Sequence, residues 1–181
     1  MMIDCFIRTS AKPSKMRIAM FHATLERWKL DPLARIHYLV DRDYREARFE
    51  AEAAAQSDPY IFTDDDVLPH GKNWIAKGLE AMLAEPEYGA CSTKSLIVNE
   101  SPFDTKPAEC RIFPVPCVGA PMWMRKGILK RDIAEYLYVS ENMEIYNYMR
   151  QKGLKQGIIN GIHHVHIGHG FSSTPEFVWG F

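Results

Sequence analysis

The chain has 181 residues, of which 46% are hydrophobic and 25% charged, and 22 Lys and Arg against 23 Asp and Glu give a net charge of −1. This composition is typical of a single folded domain over 1–181 and excludes a disordered chain. The near-neutral balance gives no support for a general nucleic-acid coat or a polybasic membrane patch.

The cysteine pattern favours a reducing compartment, and the hydropathy pattern shows no membrane segment. The four cysteines, at positions 5, 91, 110 and 117, contain no CxxC pair, so we expect reduced thiols and no disulfide framework. No apolar run approaches the roughly 18 residues of a transmembrane helix, and the first residues lack a signal-peptide cleavage site. We therefore expect a cytoplasmic protein without a membrane segment.

Strand and helix patterns alternate along the chain. Apolar runs predict strands over 3–8, 36–40, 60–63, 88–98, 116–124 and 158–167. Helical spacing or composition predicts helices over 16–28, 44–56, 74–84 and 141–152. A proline-rich loop is expected over 99–116, and a tail over about 170–181 is expected to cover the surface. The alternation indicates an α/β fold with a mostly parallel central sheet flanked by helices.

Polar clusters follow the first three predicted strands, where ligands of parallel sheets bind. They are Arg8-Thr9, Asp41-Arg42-Asp43 and Asp64-Asp65-Asp66. Carboxylates two positions apart at a strand end are hard oxygen ligands for Mg²⁺ or Mn²⁺. The alternative is a solvated turn whose acids act as caps. The position of the triplet directly after an apolar strand favours a metal or ligand site.

Histidines are concentrated in one short segment. Four of the seven lie between His163 and His169, and one imidazole there could complete a carboxylate metal site. For any single histidine, a structural role is the default. Two more segments have both a chemical and a structural interpretation. Glu141 and Glu144 are either general-base candidates or helix-start acids, and Trp123, after Gly119, either stacks on a sugar or base or belongs to the core.

Taken in order, these segments resemble a GT-A glycosyltransferase of family 2. The matching stretches are Phe6 to Thr9, Asp41, the Arg48 helix, Tyr60 to Asp66, Gly119 to Lys126, Glu141 to Gly153 and His166 to Ser172. Each motif is degenerate alone, but their order and spacing cover about residues 3–173. The resemblance implies a nucleotide-sugar-binding fold in a small, minimal version.

The resemblance also implies a role for each matching residue. Donor contacts would come from Arg8, Thr9, Asp41, Arg48, Asp64 and Asp65, with Asp64 near the ribose. A Mn²⁺ or Mg²⁺ cofactor would be held by Asp66 and a histidine, with His166 the nearer match and His169 the second. Gly119 and Trp123 would contact the sugar or acceptor. The donor would be a nucleotide-diphosphate sugar, with UDP favoured. The acceptor would be a glycan, a small molecule, a protein or a modified nucleic-acid base.

The sequence departs from the family pattern at the predicted catalytic base. The family's usual acid is replaced by Asn142, and an amide cannot take a proton at neutral pH. The base would then be Glu141 or Glu144, in a transfer that inverts the anomeric centre by analogy. Three alternatives stay open: a non-catalytic or impaired nucleotide-sugar binding module, a sugar-phosphate nucleotidyltransferase, and a zinc hydrolase built on the histidine cluster over His163 to His169.

Overall fold

The computed structural model describes residues 1–10, 15–96, 111–115, 118–129 and 149–167. Within these ranges, eight strands and three helices follow in chain order: β1 (Ile3–Thr9), α1 (Lys15–Lys29), β2 (Ala34–Val40), α2 (Tyr44–Ala54), β3 (Tyr60–Asp64), β4 (Val67–His70), α3 (Trp74–Ala84), β5 (Tyr88–Ser95), β6 (Ile112–Pro114), β7 (Met122–Met124) and β8 (Lys155–His166). No helix of these ranges is long and apolar enough to cross a membrane.

Side-chain oxygens satisfy the first backbone N–H groups of two helices. Asp43 caps α2, accepting hydrogen bonds from the N–H groups two and three residues on, at 3.0 and 2.9 Å. The N-cap of α3, Asn73, makes no such bond. Asp31, in the turn after α1, instead accepts from the N–H of Ile75 at 3.0 Å. The start of α3 is thereby joined to the end of α1.

The central sheet is mixed, which corrects the prediction of a mostly parallel sheet. The strand order is β2-β1-β3-β7-β5-β8-β4, with β6 also paired to β8. Among the described strands, three pairings are parallel and four antiparallel. The strand–helix alternation that predicts parallel pairing holds for β1, β2 and β3. It fails farther along because the short strand β7 returns between β3 and β5 and runs antiparallel to both.

Five strands nevertheless run in one direction. β1, β2 and β3 are mutually parallel, β7 reverses between β3 and β5, and β8 is parallel to β5. The carboxyl ends of β1, β2, β3, β5 and β8 therefore lie at one edge of the sheet, which we call the carboxyl edge. The predicted site residues of the first three strands meet there despite the antiparallel pairings.

Strand β4 is absent from the sequence prediction. Its four residues include Pro69, which has no N–H to donate and is tolerated on edge strands. β4 is indeed the last strand of the order, paired only to β8 among the described strands. Strand β6 likewise lies within the predicted loop over 99–116, and β7 is shorter than the predicted strand over 116–124. The predicted tail over 170–181 lies outside the described residues.

Both faces of the sheet are covered by apolar side chains. On one face, α2 packs its alanines against Phe6, Phe62 and Met122. On the other face, α1 and α3 cover a second cluster that contains Trp28, Trp74 and Trp123. The Trp74 ring lies edge-on to Trp28 at 5.2 Å and stacks on Trp123 at 5.5 Å. Gly78 of α3 passes so close to Trp123 that a Cβ there would collide with the indole.

A buried carboxylate fixes the amino end of β1. Asp4 has no exposed surface and accepts hydrogen bonds from Arg35 at 2.5 and 2.9 Å and from the N–H groups of Gln56 and Ser57 at 2.7 and 2.8 Å. The His37 ring lies 2.7 Å away. Burial alone would raise the pKa of the Asp4 carboxyl, but Arg35, His37 and the two N–H groups outweigh burial and hold that pKa well below its ordinary range.

We expect Asp4→Asn to destabilise the fold by about 2–4 kcal/mol, because the Arg35 charge and buried donors lose their acceptor. Denaturant unfolding of the full chain measures this loss. Glu26→Gln is the control, since Glu26 belongs to an exposed pair with Lys29 and should leave the unfolding midpoint unchanged. Equal midpoints for the Asp4 variant and the wild type would contradict the structural role of Asp4.

The lowered pKa of Asp4 also predicts that the stability of the fold depends on pH. An unfolded Asp protonates near pH 3.9, whereas folded Asp4 keeps its charge to lower pH. Its contribution is therefore complete above about pH 5 and is lost as the pH falls below about 4 toward the folded pKa. The difference in unfolding free energy between wild type and Asp4→Asn should stay constant above pH 5 and shrink in acid. A difference that stays constant down to pH 2 would show that the charge of Asp4 does not stabilise the fold.

Candidate active site

The acidic triplet lies at the carboxyl edge, between β3 and β4. Its first member, Asp64, lies directly opposite Arg8 of β1 and accepts a hydrogen bond from Arg8 Nε at 2.9 Å. Burial raises the pKa of the Asp64 carboxyl, while the positive charge of Arg8 opposes that rise. Both side chains keep some exposed surface, 29% for Arg8 and 14% for Asp64. This pair can therefore contact a ligand at the edge.

The second member, Asp65, turns inward. Its side chain has no exposed surface, and its two oxygens accept hydrogen bonds from Thr9 Oγ1 at 2.8 Å and from Arg17 at 2.6 and 3.3 Å. Burial opposes the charge on Arg17, but the pairing with Asp65 outweighs burial and raises the pKa of Arg17. Asp65 thus joins the turn after β3 to β1 and α1. Its predicted contact with a donor stays a prediction.

The third member, Asp66, lies beside His166. Because Val67 pairs with His166 across β4 and β8, the Ile167 N–H donates to the Asp66 carbonyl at 2.8 Å. Asp66 Oδ1 and His166 Nε2 are 3.2 Å apart. They lack the alignment of a hydrogen bond, and Asp66 Oδ1 is buried without a hydrogen-bond partner. This oxygen therefore has an ion-pair neighbour in His166 but keeps the capacity to bind a further cation.

The charges of this pair act on each other. Burial would raise the pKa of the Asp66 carboxyl, but His166 and, more weakly, Arg17 outweigh burial and lower it. Burial would lower the pKa of His166, and the carboxylates of Asp66 and Asp64 outweigh it and raise that pKa. The site is therefore a carboxylate and an imidazole in close contact, set among further acids and Arg17.

The donor set fits a divalent ion but is incomplete among the described residues. A carboxylate oxygen and an imidazole nitrogen suit Mn²⁺. In the ranges that the structure describes, no group of three or more His, Cys, Asp or Glu side chains is arranged to hold a metal ion. His169, the second predicted histidine ligand, lies outside those ranges.

The other described histidines of the cluster, His163 and His164, have structural contacts. His164 is buried, and its Nδ1 lies 2.8 Å from Thr93 Oγ1. Its ring lies 6.5 Å from that of His166. The carbonyl of His163 accepts a hydrogen bond from the Trp74 indole at 2.7 Å. The described part of the cluster therefore brings one histidine, His166, to the acidic triplet.

The predicted nucleotide-contacting residue Asp41 lies next to the end of β1. Its backbone has a φ of 52°, its N–H donates to the Thr9 carbonyl at 3.0 Å, and its carboxylate accepts from Ser10 Oγ at 3.2 Å. Arg48 is buried on α2, with its guanidinium 5.9 Å from the centre of the Phe62 ring. Arg48 thus packs against Phe62, which precedes Asp64 by two residues along β3, and it lies inside the protein and not at its surface.

Trp123 requires a correction. The side chain has no exposed surface and stacks on Trp74 in the core, so the indole presents no face to a sugar. The core interpretation of this residue is the one that the structure supports.

Gly119 lies in the segment before β7, and since Met122 pairs with Phe62, that segment emerges at the carboxyl edge. The predicted bases Glu141 and Glu144 lie outside the described residues.

Sequence reasoning did not identify Arg17. It lies in the first turn of α1, and it reaches Asp65 because α1 packs beside β4 and β2. No spacing within the sequence indicates this pair, since it depends on how the helix packs on the sheet. The only available signal in the sequence is a basic residue shortly after the end of a predicted strand.

Comparison with known proteins supports the fold. No protein-family model matches the sequence, and no curated protein matches it. A crystal structure of GalNAc-T7 with UDP, GalNAc and Mn²⁺ is similar to this chain, with a TM-score of 0.62 and 12% sequence identity, over 91% of this chain and 43% of that chain. The fold is thus an α/β fold with a mixed sheet, similar to that of a GT-A glycosyltransferase. This chain spans less than half of its neighbour's length.

The pairing of Asp65 with Arg17 predicts a measurable coupling. In a double-mutant cycle with Asp65→Ala and Arg17→Ala, we expect a coupling energy of about 1–2 kcal/mol, because Arg17 is partly screened by solvent. A cycle on the exposed pair Arg42 and Glu50, 2.7 Å apart, is the control and should show no measurable coupling. Unfolding free energies provide both values, and similar coupling in the two cycles would contradict the assignment.

Proposed function

We propose that this chain is a metal-dependent glycosyltransferase that moves a sugar from a nucleotide-diphosphate sugar, with UDP favoured, to an acceptor hydroxyl. The observation that carries the proposal is the buried Asp66 Oδ1, which has no hydrogen-bond partner and lies 3.2 Å from His166 Nε2. The similarity to GalNAc-T7, whose crystal contains UDP and Mn²⁺, supports the same class of donor.

Asp66 and His166 would hold Mn²⁺ or Mg²⁺, with His169 as the predicted further ligand. A divalent ion there would act as a Lewis acid that neutralises charge on the leaving nucleotide diphosphate. Asp66 directly precedes β4, His166 is the last residue of β8, and these two strands are paired. Their separation is therefore set by backbone pairing, which fixes both ligands before any donor binds.

The surroundings of these ligands suit a diphosphate and a ribose. Arg8 and Arg17 are held at the edge by Asp64 and Asp65, and guanidinium groups are strong donors to phosphate oxygens. Asp64 remains the proposed ribose contact, and Asp41, at the end of β2, the proposed contact to the base or ribose. The buried Asp65 supports these contacts by holding the turn that carries Asp64 and Asp66.

Removal of the acceptor proton is assigned to Glu141, with Glu144 as the second candidate. A base on the face of the sugar opposite the leaving diphosphate gives inversion at the anomeric carbon. The replacement of the family acid by Asn142 favours one second candidate function, a binding module without turnover. UDP release distinguishes the two functions, because a glycosyltransferase with bound metal would release UDP from a UDP-sugar and a binding module would not.

The test is calorimetry of UDP binding to the full chain, with and without Mn²⁺. We expect Mn²⁺ to strengthen UDP binding to the wild type and Asp66→Asn to weaken the Mn²⁺-dependent binding by about 10-fold to 100-fold. Glu26→Gln, far from the edge, is the control and should bind as the wild type does. Circular dichroism confirms that each variant is folded. Undiminished Mn²⁺-dependent binding by the Asp66 variant would refute the metal assignment.

A further inference from the structure

The edge of the sheet formed by β4 is protected against a further strand. The Asp66 carbonyl accepts a hydrogen bond from the residue after β8 at 2.8 Å, so Val67 and Pro69 direct their backbone groups away from β8. The Val67 carbonyl accepts from the Trp28 indole at 3.1 Å, and the Pro69 carbonyl accepts from Arg27 Nε at 3.1 Å. Pro69 has no N–H to donate. Little of this edge is therefore left for another strand to pair with.

The edge formed by β2 is built differently. Its seven residues pair with β1 in one continuous parallel register, and the N–H of Asp41 continues this ladder to the Thr9 carbonyl at 3.0 Å. Successive residues of a strand direct their backbone groups to opposite sides, so Ile36, Tyr38 and Val40 direct theirs away from β1. No strand of the described ranges pairs with these outward groups. This edge offers a regular row of donors and acceptors.

The side chains along the β2 edge are apolar and exposed. Tyr38 is 46% exposed and Val40 42%, and Ile18 of the neighbouring helix α1 is 41% exposed. The Phe21 ring of α1 lies edge-on to Tyr38, with 5.8 Å between the ring centres. β2 contains neither proline nor lysine, two residues that protect exposed edge strands from association. The same chain thus protects one edge of its sheet and leaves the other able to pair.

We propose that β2 pairs in antiparallel orientation with β2 of a second copy of this chain, which gives a dimer with one continuous sheet. The pairing is centred on Tyr38, which lies opposite Tyr38 of the second copy. Ile36 then lies opposite Val40 of the second copy, and Val40 opposite its Ile36. All three residues direct their backbone groups outward, so each of these pairs exchanges two hydrogen bonds.

A second copy fits this edge because the edge is complementary to itself. In the antiparallel register apolar side chains meet apolar side chains, and Arg35 of each copy lies beside Asp41 of the other. The net charge of −1 does not oppose association. Because the β4 edge is protected, each chain offers one edge, and the pairing closes as a two-fold dimer without growing into a filament. This dimer does not depend on the proposed transfer reaction.

The test is sedimentation velocity of the full chain over a series of protein concentrations. We expect a dimer whose fraction rises with concentration in the wild type. Tyr38→Lys and Tyr38→Glu should each weaken dimerisation by about tenfold or more, because like charges then lie directly opposite each other. Leu83→Lys changes a side chain that is 58% exposed on α3 and should leave dimerisation unchanged. Circular dichroism confirms that each variant is folded.

An equimolar mixture of the two Tyr38 variants tests the register. We expect the mixture to form dimers that neither variant forms alone at the same concentration, because the introduced lysine and glutamate then face each other across the two-fold axis. Three results would overturn the inference: a wild type that stays monomeric up to its solubility limit, a dimer that the Tyr38 variants leave unchanged, and a mixture that stays monomeric.

Discussion

The buried carboxylate of Asp65 is the constraint on which the candidate site depends. Thr9 and Arg17 occupy both of its oxygens, so the turn between β3 and β4 is joined to β1 and α1. With the middle acid directed inward, Asp64 is left to meet Arg8 and Asp66 to meet His166. An acidic triplet that would repel itself in isolation becomes three carboxylates, each with its own positive or titratable neighbour.

The mixed sheet brings distant parts of the chain to this turn. Five strands share one direction although most pairings are antiparallel, because β7 reverses between β3 and β5. His166, at the end of β8, consequently lies at the same edge as Asp64, at the end of β3. The pairing of β4 with β8 then sets His166 beside Asp66. The proposed ligands Asp66 and His166, far apart in sequence, are thus brought together by backbone hydrogen bonds.

Local sequence patterns predict the first half of the fold well. With the exception of β4, the strands and helices up to α3 have an apolar spacing or composition that a short window reveals, and Asp64 and Asp66 follow a buried strand. Strands β4 and β6, which the sequence did not predict, depend on pairing with β8 far along the chain, and hydrophobic periodicity does not report such a partner. Arg17 could not be predicted for the same reason, because its contact with Asp65 depends on how α1 packs. The sequence could not decide whether Trp123 lies in the core or contacts a sugar, because an indole suits either environment.

The central claim is that the carboxyl edge binds a nucleotide diphosphate through a divalent ion at Asp66 and His166. The most direct test is an electron paramagnetic resonance titration of Mn²⁺ with the full chain, in the presence and absence of UDP. The account predicts that the free Mn²⁺ signal falls most when protein and UDP are both present, and that His166→Ala returns it to the level of UDP alone. A free Mn²⁺ signal that the protein leaves unchanged, with or without UDP, would contradict the claim.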